Sequence, residues 1–142
     1  MPDPPMPSVL LVDDDDVAAE AVARGLHKHW VDYPIVIAED GVTALQILRG
    51  AHATRRISKP YLVLLDLNMP RMGGIEFLRE LRSDAGLRDT VVFVLTTSNA
   101  KADVKRAYQQ HIAGYMVKSA LGPQFCELAR FLTEYRAAIL FP

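Results

Sequence analysis

Four consecutive aspartates, Asp13 to Asp16, directly follow the apolar run Ser8-Val9-Leu10-Leu11-Val12. A second apolar run, Tyr61-Leu62-Val63-Leu64-Leu65, also ends on an aspartate, Asp66. Carboxylates gathered at one edge of a sheet repel each other and raise each other's pKa. A hard divalent cation relieves that repulsion. Mg2+ is held by one or two carboxylates together with waters or phosphate oxygens. A carboxylate in such a place can also attack a phosphoryl group and become an aspartyl phosphate. That reaction asks the protein for in-line positioning and counter-charge. Thr96 and Thr97 follow the run Val91-Val92-Phe93-Val94-Leu95, and Lys118 follows Gly114-Tyr115-Met116-Val117. The Thr96 hydroxyl can donate to a phosphoryl oxygen, and Lys118 supplies a mobile ammonium.

The elements that must position these residues alternate along the chain. Short runs apolar on both faces are expected as strands over 9–12, 34–38, 61–65, 91–95 and 114–117. Between them, apolar residues at helical spacing predict helices over 17–30, 41–49, 75–82 and 102–110, with a last helix inside 122–138. Such alternation argues a parallel sheet covered by helices on both sides. In open parallel sheets, ligands bind outside the carboxyl ends of the strands. Asp13, Asp14, Asp66, Thr96 and Lys118 all terminate apolar runs, so all fall on one rim. The connection from Gly50 to Pro60 is the one long one. It either extends the second helix or forms a basic surface loop.

Each residue alone has a plainer use. Asp is a favoured N-cap, and Asp15 and Asp16 are assigned mainly to capping the first helix. Asp66-Leu67-Asn68-Met69-Pro70 could be an ordinary turn, Thr96 to Asn99 a helix cap, and Lys118 a solvated charge. Their common position carries the functional reading. His27, His29, His52 and His111 lack a metal-ligand context and read as surface or helix-end residues.

Composition sets the outer limits. The chain has 142 residues, 50% of them hydrophobic and 23% charged, with a net charge of −1. One domain of this length buries roughly 68–70% of its unfolded surface and needs no structural metal or disulfide. Nothing in that charge suggests a nucleic-acid surface. Cys126 is the only cysteine, which excludes an internal disulfide and fits a reducing, cytoplasmic setting. Residues 1–7 are Pro-rich, resemble no signal peptide and read as a flexible lead. No stretch is long enough to span a membrane.

The chain resembles the receiver domain of two-component response regulators. The resemblance rests on Leu10-Leu11-Val12-Asp13-Asp14, on Leu64-Leu65-Asp66-Leu67-Asn68-Met69-Pro70 followed by Met72-Gly73-Gly74, on Val94-Leu95-Thr96-Thr97-Ser98, and on Gly114-Tyr115-Met116-Val117-Lys118. It covers roughly residues 8 to 135 and implies an α/β, flavodoxin-like, doubly wound five-stranded parallel sheet of order 2-1-3-4-5 with five helices. It implies Asp66 as phosphoacceptor and Asp14 as a direct Mg2+ ligand. Asp13 would act through water or at longer range, and Asn68 through its backbone carbonyl. Thr96 becomes the switch hydroxyl, Lys118 the phosphoryl partner, and Tyr115 the switch aromatic that turns inward on activation. Met69-Pro70 and Gly73-Gly74 would shape the loop after Asp66, the glycines by adopting turn conformations closed to other residues. The family commonly has proline, often cis, after the lysine. Here it is Ser119, so the peptide is either trans or held under strain.

The resemblance extends to stand-alone regulators paired with bacterial phytochrome-like sensor kinases. Residues 8–142 are expected to form a single domain with no output domain, so that output runs through protein contact or phosphorelay. The apolar Ile139-Leu140-Phe141 either folds back on its own domain or helps a homodimer contact with the fourth helix, fifth strand and last helix. Two rivals stand beside the switch. One is a small Mg2+-dependent phosphohydrolase with Asp66 as nucleophile, against which Asn68 occupies the usual general-acid position. The other is an adaptor independent of phosphorylation, against which the acidic pocket is intact.

Overall fold

Leucine- and valine-rich strands need apolar cover on both faces, and the computed structural model shows how it is provided. It describes residues 7–29, 33–69 and 72–142. Strands β1 (Ser8–Val12), β2 (Ile35–Ala38), β3 (Tyr61–Leu65), β4 (Val91–Thr96) and β5 (Gly114–Val117) form one parallel sheet of order β2-β1-β3-β4-β5. Helices α1 (Asp16–His29), α2 (Gly41–Leu48), α3 (Gly74–Ser83), α4 (Lys101–Tyr108) and α5 (Cys126–Ala138) alternate with the strands. Two 3-10 turns, Lys118–Ala120 and Pro123–Phe125, lead from β5 into α5. The fold is the expected flavodoxin-like one. The expectations for the 1–6 lead, the helix end at Trp30 and Pro70 lie outside the described residues.

Two buried clusters sandwich the sheet. Leu10, Val12, Val63, Leu65, Val92 and Val94 point toward Phe77, Leu78 and Leu81 of α3 and Ala107 of α4. Val9, Leu11, Leu62, Leu64, Phe93 and Leu95 point toward Val22 and Leu26 of α1 and Leu128 and Leu132 of α5. Alternation along each strand feeds both layers. Each fully buried large side chain contributes roughly 1.5–3 kcal/mol.

Local signals set the helix starts. Asp15 Oδ1 accepts from the amides of Val17 and Ala18, capping α1 as expected. Asp40 Oδ1 accepts from Thr43 N at 2.7 Å and caps α2. At α5 the chain enters through Gln124 and Phe125, both left-handed, at φ 52 and 58. That turn presses its backbone onto Gly25 of α1, where an added Cβ would lie 2.3 Å from Gln124 O.

The Gly50–Pro60 connection does not extend α2; it is a loop. Its Arg55 Nη1 donates to Ile37 O at 2.8 Å and to Glu39 Oε2 at 2.6 Å. Pro34 and Ala38 carbonyls pair with β1, so Ile37 O, on the alternate phase, faces the open side of β2. At the other end of the chain, Phe141 folds back edge-on to Tyr135, with ring centroids 6.1 Å apart. Leu140 remains 97% exposed. Phe141 thus folds back on its own domain as one of the two expectations had it, and Leu140 does not.

Candidate functional site

Parallel strands end together, so the residue after each strand meets those after its neighbours. Asp13 and Asp66 follow the paired ends Val12 and Leu65. Thr96 ends β4 and Lys118 follows β5, paired at Thr96–Val117. One carboxylate oxygen each from Asp13, Asp14 and Asp66 falls within 4.8 Å of the others. Asp13 is buried, Asp14 exposed and Asp66 intermediate.

Their contacts differ in kind. Asp13 Oδ2 accepts from Lys118 Nζ at 2.9 Å, and Asp13 Oδ1 accepts from Asp15 N at 3.0 Å. Both Asp13 oxygens are therefore engaged. Asp14 has no hydrogen-bond or ion-pair partner among the described residues and faces solvent. Asp66 Oδ1 accepts from Thr96 Oγ1 at 2.9 Å and from Asn68 N at 3.2 Å. Asp66 Oδ2 lies 3.9 Å from Lys118 Nζ.

Asp66 is held above the usual carboxylate range. Burial is the largest cause, the Asn68 amide and Thr96 hydroxyl oppose it, Asp13 adds to it, and Lys118 opposes it. Mutual repulsion of the acids was the expected source of a rise, and Asp13 does contribute one. Burial outweighs it: the Asp13 charge contributes less than desolvation of the carboxyl.

The donor set suits a hard divalent cation: three carboxylates, one with no other partner, at a solvent-open rim. Asp14 and Asp66 would hold such an ion directly. Asp13, with both oxygens engaged, would act through a water. Asn68 is exposed beside Asp66, its amide turned to the Asp66 carboxylate.

The loop after Asp66 departs from expectation. Gly73 has φ −62 and Gly74 opens α3, so neither glycine uses a left-handed turn. The left-handed residue is Met72, at φ 70. Gly74 is needed for close approach: an added Cβ would lie 2.6 Å from Leu67 Cα and 2.9 Å from Asp66 O. Lys118–Ser119 is trans, Lys59–Pro60 being the one cis peptide among the described residues.

Tyr115 already lies inward. Its ring packs on the core and its hydroxyl donates to Ser98 O at 2.8 Å. Burial raises its pKa, and the nearby Asp103 and Asp66 charges add to the rise while the Ser98 contact opposes it. Two contributors, Asp103 and Tyr108, were missed from sequence. Ser98 Oγ donates to Asp103 Oδ2 at 2.6 Å, and Tyr108 Oη accepts from Tyr115 N at 3.2 Å. The Ser98-to-Asp103 spacing across a helix start was the available signal, since short polar side chains favour such positions. Tyr108 left none.

A doubly wound sheet with carboxylates, a hydroxyl and a lysine converging at its carboxyl edge defines a receiver domain. Residues 9–130 match the response regulator receiver domain, and the chain belongs to that family. It is similar to Response regulator Rcp1 of Synechocystis sp., with 34% identity over 111 residues, 78% of this chain and 76% of Rcp1. It also resembles the solved structure of the phosphorylated cyanobacterial phytochrome response regulator RcpA. The TM-score there is 0.81 at 29% identity, over 97% of this chain and 99% of RcpA. The Mn2+-bound form of Rcp1 gives 0.78 at 29% identity, over 96% of this chain and 99% of that one. Among the described residues no helix is long and apolar enough to cross a membrane.

Proposed function

We propose that this chain is a Mg2+-dependent phosphoryl acceptor, taking the group from a sensor histidine kinase onto Asp66 and signalling through protein contacts. The observation that carries the reading is the convergence of Asp13, Asp14 and Asp66 with Thr96 and Lys118. Asp66 Oδ2, which accepts no hydrogen bond among the described residues, is the oxygen placed to attack. The new O–P bond forms as the P–N bond of the kinase phosphohistidine breaks, and the imidazole keeps the electron pair and takes a proton. Asp14 and Asp66 would hold Mg2+, which would supply counter-charge to the phosphoryl oxygens. Thr96 and Tyr115 are the switch pair: the Thr96 hydroxyl and the Lys118 ammonium re-aim toward those oxygens, and that shift holds the Tyr115 ring in the inward position it already occupies. The Asn68 backbone carbonyl would be the further protein ligand to that ion.

The printed descriptions of Rcp1 and RcpA support a phytochrome-like kinase as donor. Val17, 77% exposed beside the acids, offers that kinase an apolar contact. Residues 8–142 work as one cytoplasmic unit. Tyr108, Phe131 and Leu140 are exposed on α4, α5 and the tail, which supports a homodimer through α4, β5, α5 and the tail. A downstream relay or target protein reads the phosphorylated form.

The test is labelling by acetyl phosphate with Mg2+. The wild-type chain takes one hydroxylamine-sensitive phosphoryl group, and Asp66→Asn takes none. Full labelling of that variant removes Asp66 from its role. Steady turnover of small phosphate esters would favour the hydrolase instead.

A further inference from the structure

Arg82, in the last turn of α3, is a charge that the acidic site does not use. Its Nε donates to Gln110 O at 2.8 Å. Its Nη1 donates to Arg88 O at 2.7 Å and Thr90 O at 2.8 Å, and its Nη2 to His111 O at 3.0 Å. All four acceptors are neutral carbonyls, and no carboxylate bonds it within salt-bridge distance among the described residues, although the Asp89 charge acts on it. Arg88 and Thr90 belong to the turn before β4. Gln110 and His111 belong to the turn just past α4. A cation beyond the C-terminal end of a helix opposes the negative end of its dipole. The planar guanidinium makes these bonds in a fixed fork, so it ties the two turns rigidly.

The other end of α4 is held differently. Ala107, near the C-terminal end, is the only buried residue of the helix. Ile112, just beyond, is buried in the same core. Lys101 and Ala102 are exposed. The polar ties at that end are the Ser98–Asp103 and Tyr115–Ser98 hydrogen bonds. Packing and the arginine fork thus both grip the C-terminal end, while the N-terminal end depends on side chains next to Thr96.

We propose that Arg82 is a positioning residue that pins the C-terminal end of α4 to the α3–β4 turn, making it the fulcrum about which the N-terminal end of the helix moves. The drive for that movement rests on the phosphoacceptor reading. The pin is a property of the unmodified chain.

Residue-resolved amide hydrogen exchange of the full chain tests both parts. The amides of Gln109, Gln110, His111 and Ala113 are bonded to Lys105, Ala107, Tyr108 and Val92 carbonyls. Without metal or phosphoryl donor, Arg82→Lys keeps the charge and loses the fork. Their exchange then rises by about tenfold or more, while the core amides of β1 and β3 hold their wild-type rates. Unchanged exchange at 109–113, or an equal rise in β1 and β3, overturns the pin. The second arm uses wild-type protein alone, with Mg2+ and beryllofluoride as the phosphoryl mimic. Exchange changes across 97–105 and holds at 109–113. Equal changes at both ends overturn the fulcrum, and this arm decides the matter if the variant does not fold. The first arm needs no phosphoryl group, so failure of Asp66 to accept one overturns the proposed function and leaves the pin standing.

Discussion

The Lys118 ammonium stands 2.9 Å from Asp13 Oδ2, and the Asp13 side chain is only 1% exposed. Removing one member of a buried pair leaves an uncompensated charge and costs about 3–5 kcal/mol. Lys118→Met is therefore expected to lower the melting temperature in EDTA. The same change removes the cation that competes with a metal for the acids. Added Mg2+ should raise the melting temperature of the variant more than that of wild type. Equal increments in the two proteins would show that Lys118 and the metal do not share Asp13. Phosphorylation by acetyl phosphate should slow by roughly 10²-fold, the usual effect of losing one stabilising donor.

Burial holds the Asp66 carboxyl above its ordinary range. The metal-free native state therefore binds this proton more tightly than the unfolded chain does. Stability falls as pH rises from the unfolded pKa through the raised native one, and the loss is complete above both. Asp66→Asn, which cannot ionise, should melt higher than wild type in EDTA at neutral pH. That advantage should shrink as pH is lowered through the carboxylate range. A variant that melts lower at pH 7, with the gap constant in acid, would contradict the assignment.

Gly25 illustrates two opposed effects of one methyl group. Alanine in a helix interior is favoured over glycine by about 1 kcal/mol. Here the new Cβ would lie 2.3 Å from Gln124 O and 3.0 Å from Gln124 C, both backbone atoms. Overpacking of that kind costs roughly 1–3 kcal/mol, and a left-handed turn at Gln124 and Phe125 has little room to yield. Gly25→Ala should therefore destabilise, as read by urea denaturation. A stabilised variant would mean that the turn moves freely.

Gly74 couples stability to chemistry. A Cβ there would press on Leu67 Cα at 2.6 Å and Asp66 O at 2.9 Å, displacing the main chain of the proposed acceptor, Asp66. A misplacement of about 1 Å can cost roughly 10²-fold in rate. Gly74→Ala should slow acetyl-phosphate labelling by up to that factor while the chain remains folded by circular dichroism. Wild-type labelling would show that the loop absorbs the methyl group elsewhere.

The rim was legible because each strand is an apolar run that stops at a polar residue, and parallel strands stop together. Asp66, Thr96 and Lys118 could be placed that way without coordinates. The pairing of Lys118 with Asp13 could not, since 105 residues separate them and Asp66 offered an equally suitable partner. The glycines after Asp66 were assigned the wrong reason. Glycine permits both left-handed turns and close approach, and only geometry separates these uses. Met72 carries the left-handed angle instead. Arg82 was not singled out because its acceptors are main-chain carbonyls, which every residue has. In the tail, Phe141 finds Tyr135 while its neighbour Leu140 stays exposed.

Arg55 occupies a carbonyl on the outer side of β2 that another peptide strand could otherwise use. Unpaired strand margins are templates for uncontrolled stacking of one molecule on the next. The connection that brings Arg55 there thus covers the outer flank of β2 at its carboxyl end, one strand away from Asp13. Shortening it to the length of an ordinary turn would bare that flank, and the shortened protein should form light-scattering polymers at concentrations where the intact chain stays clear.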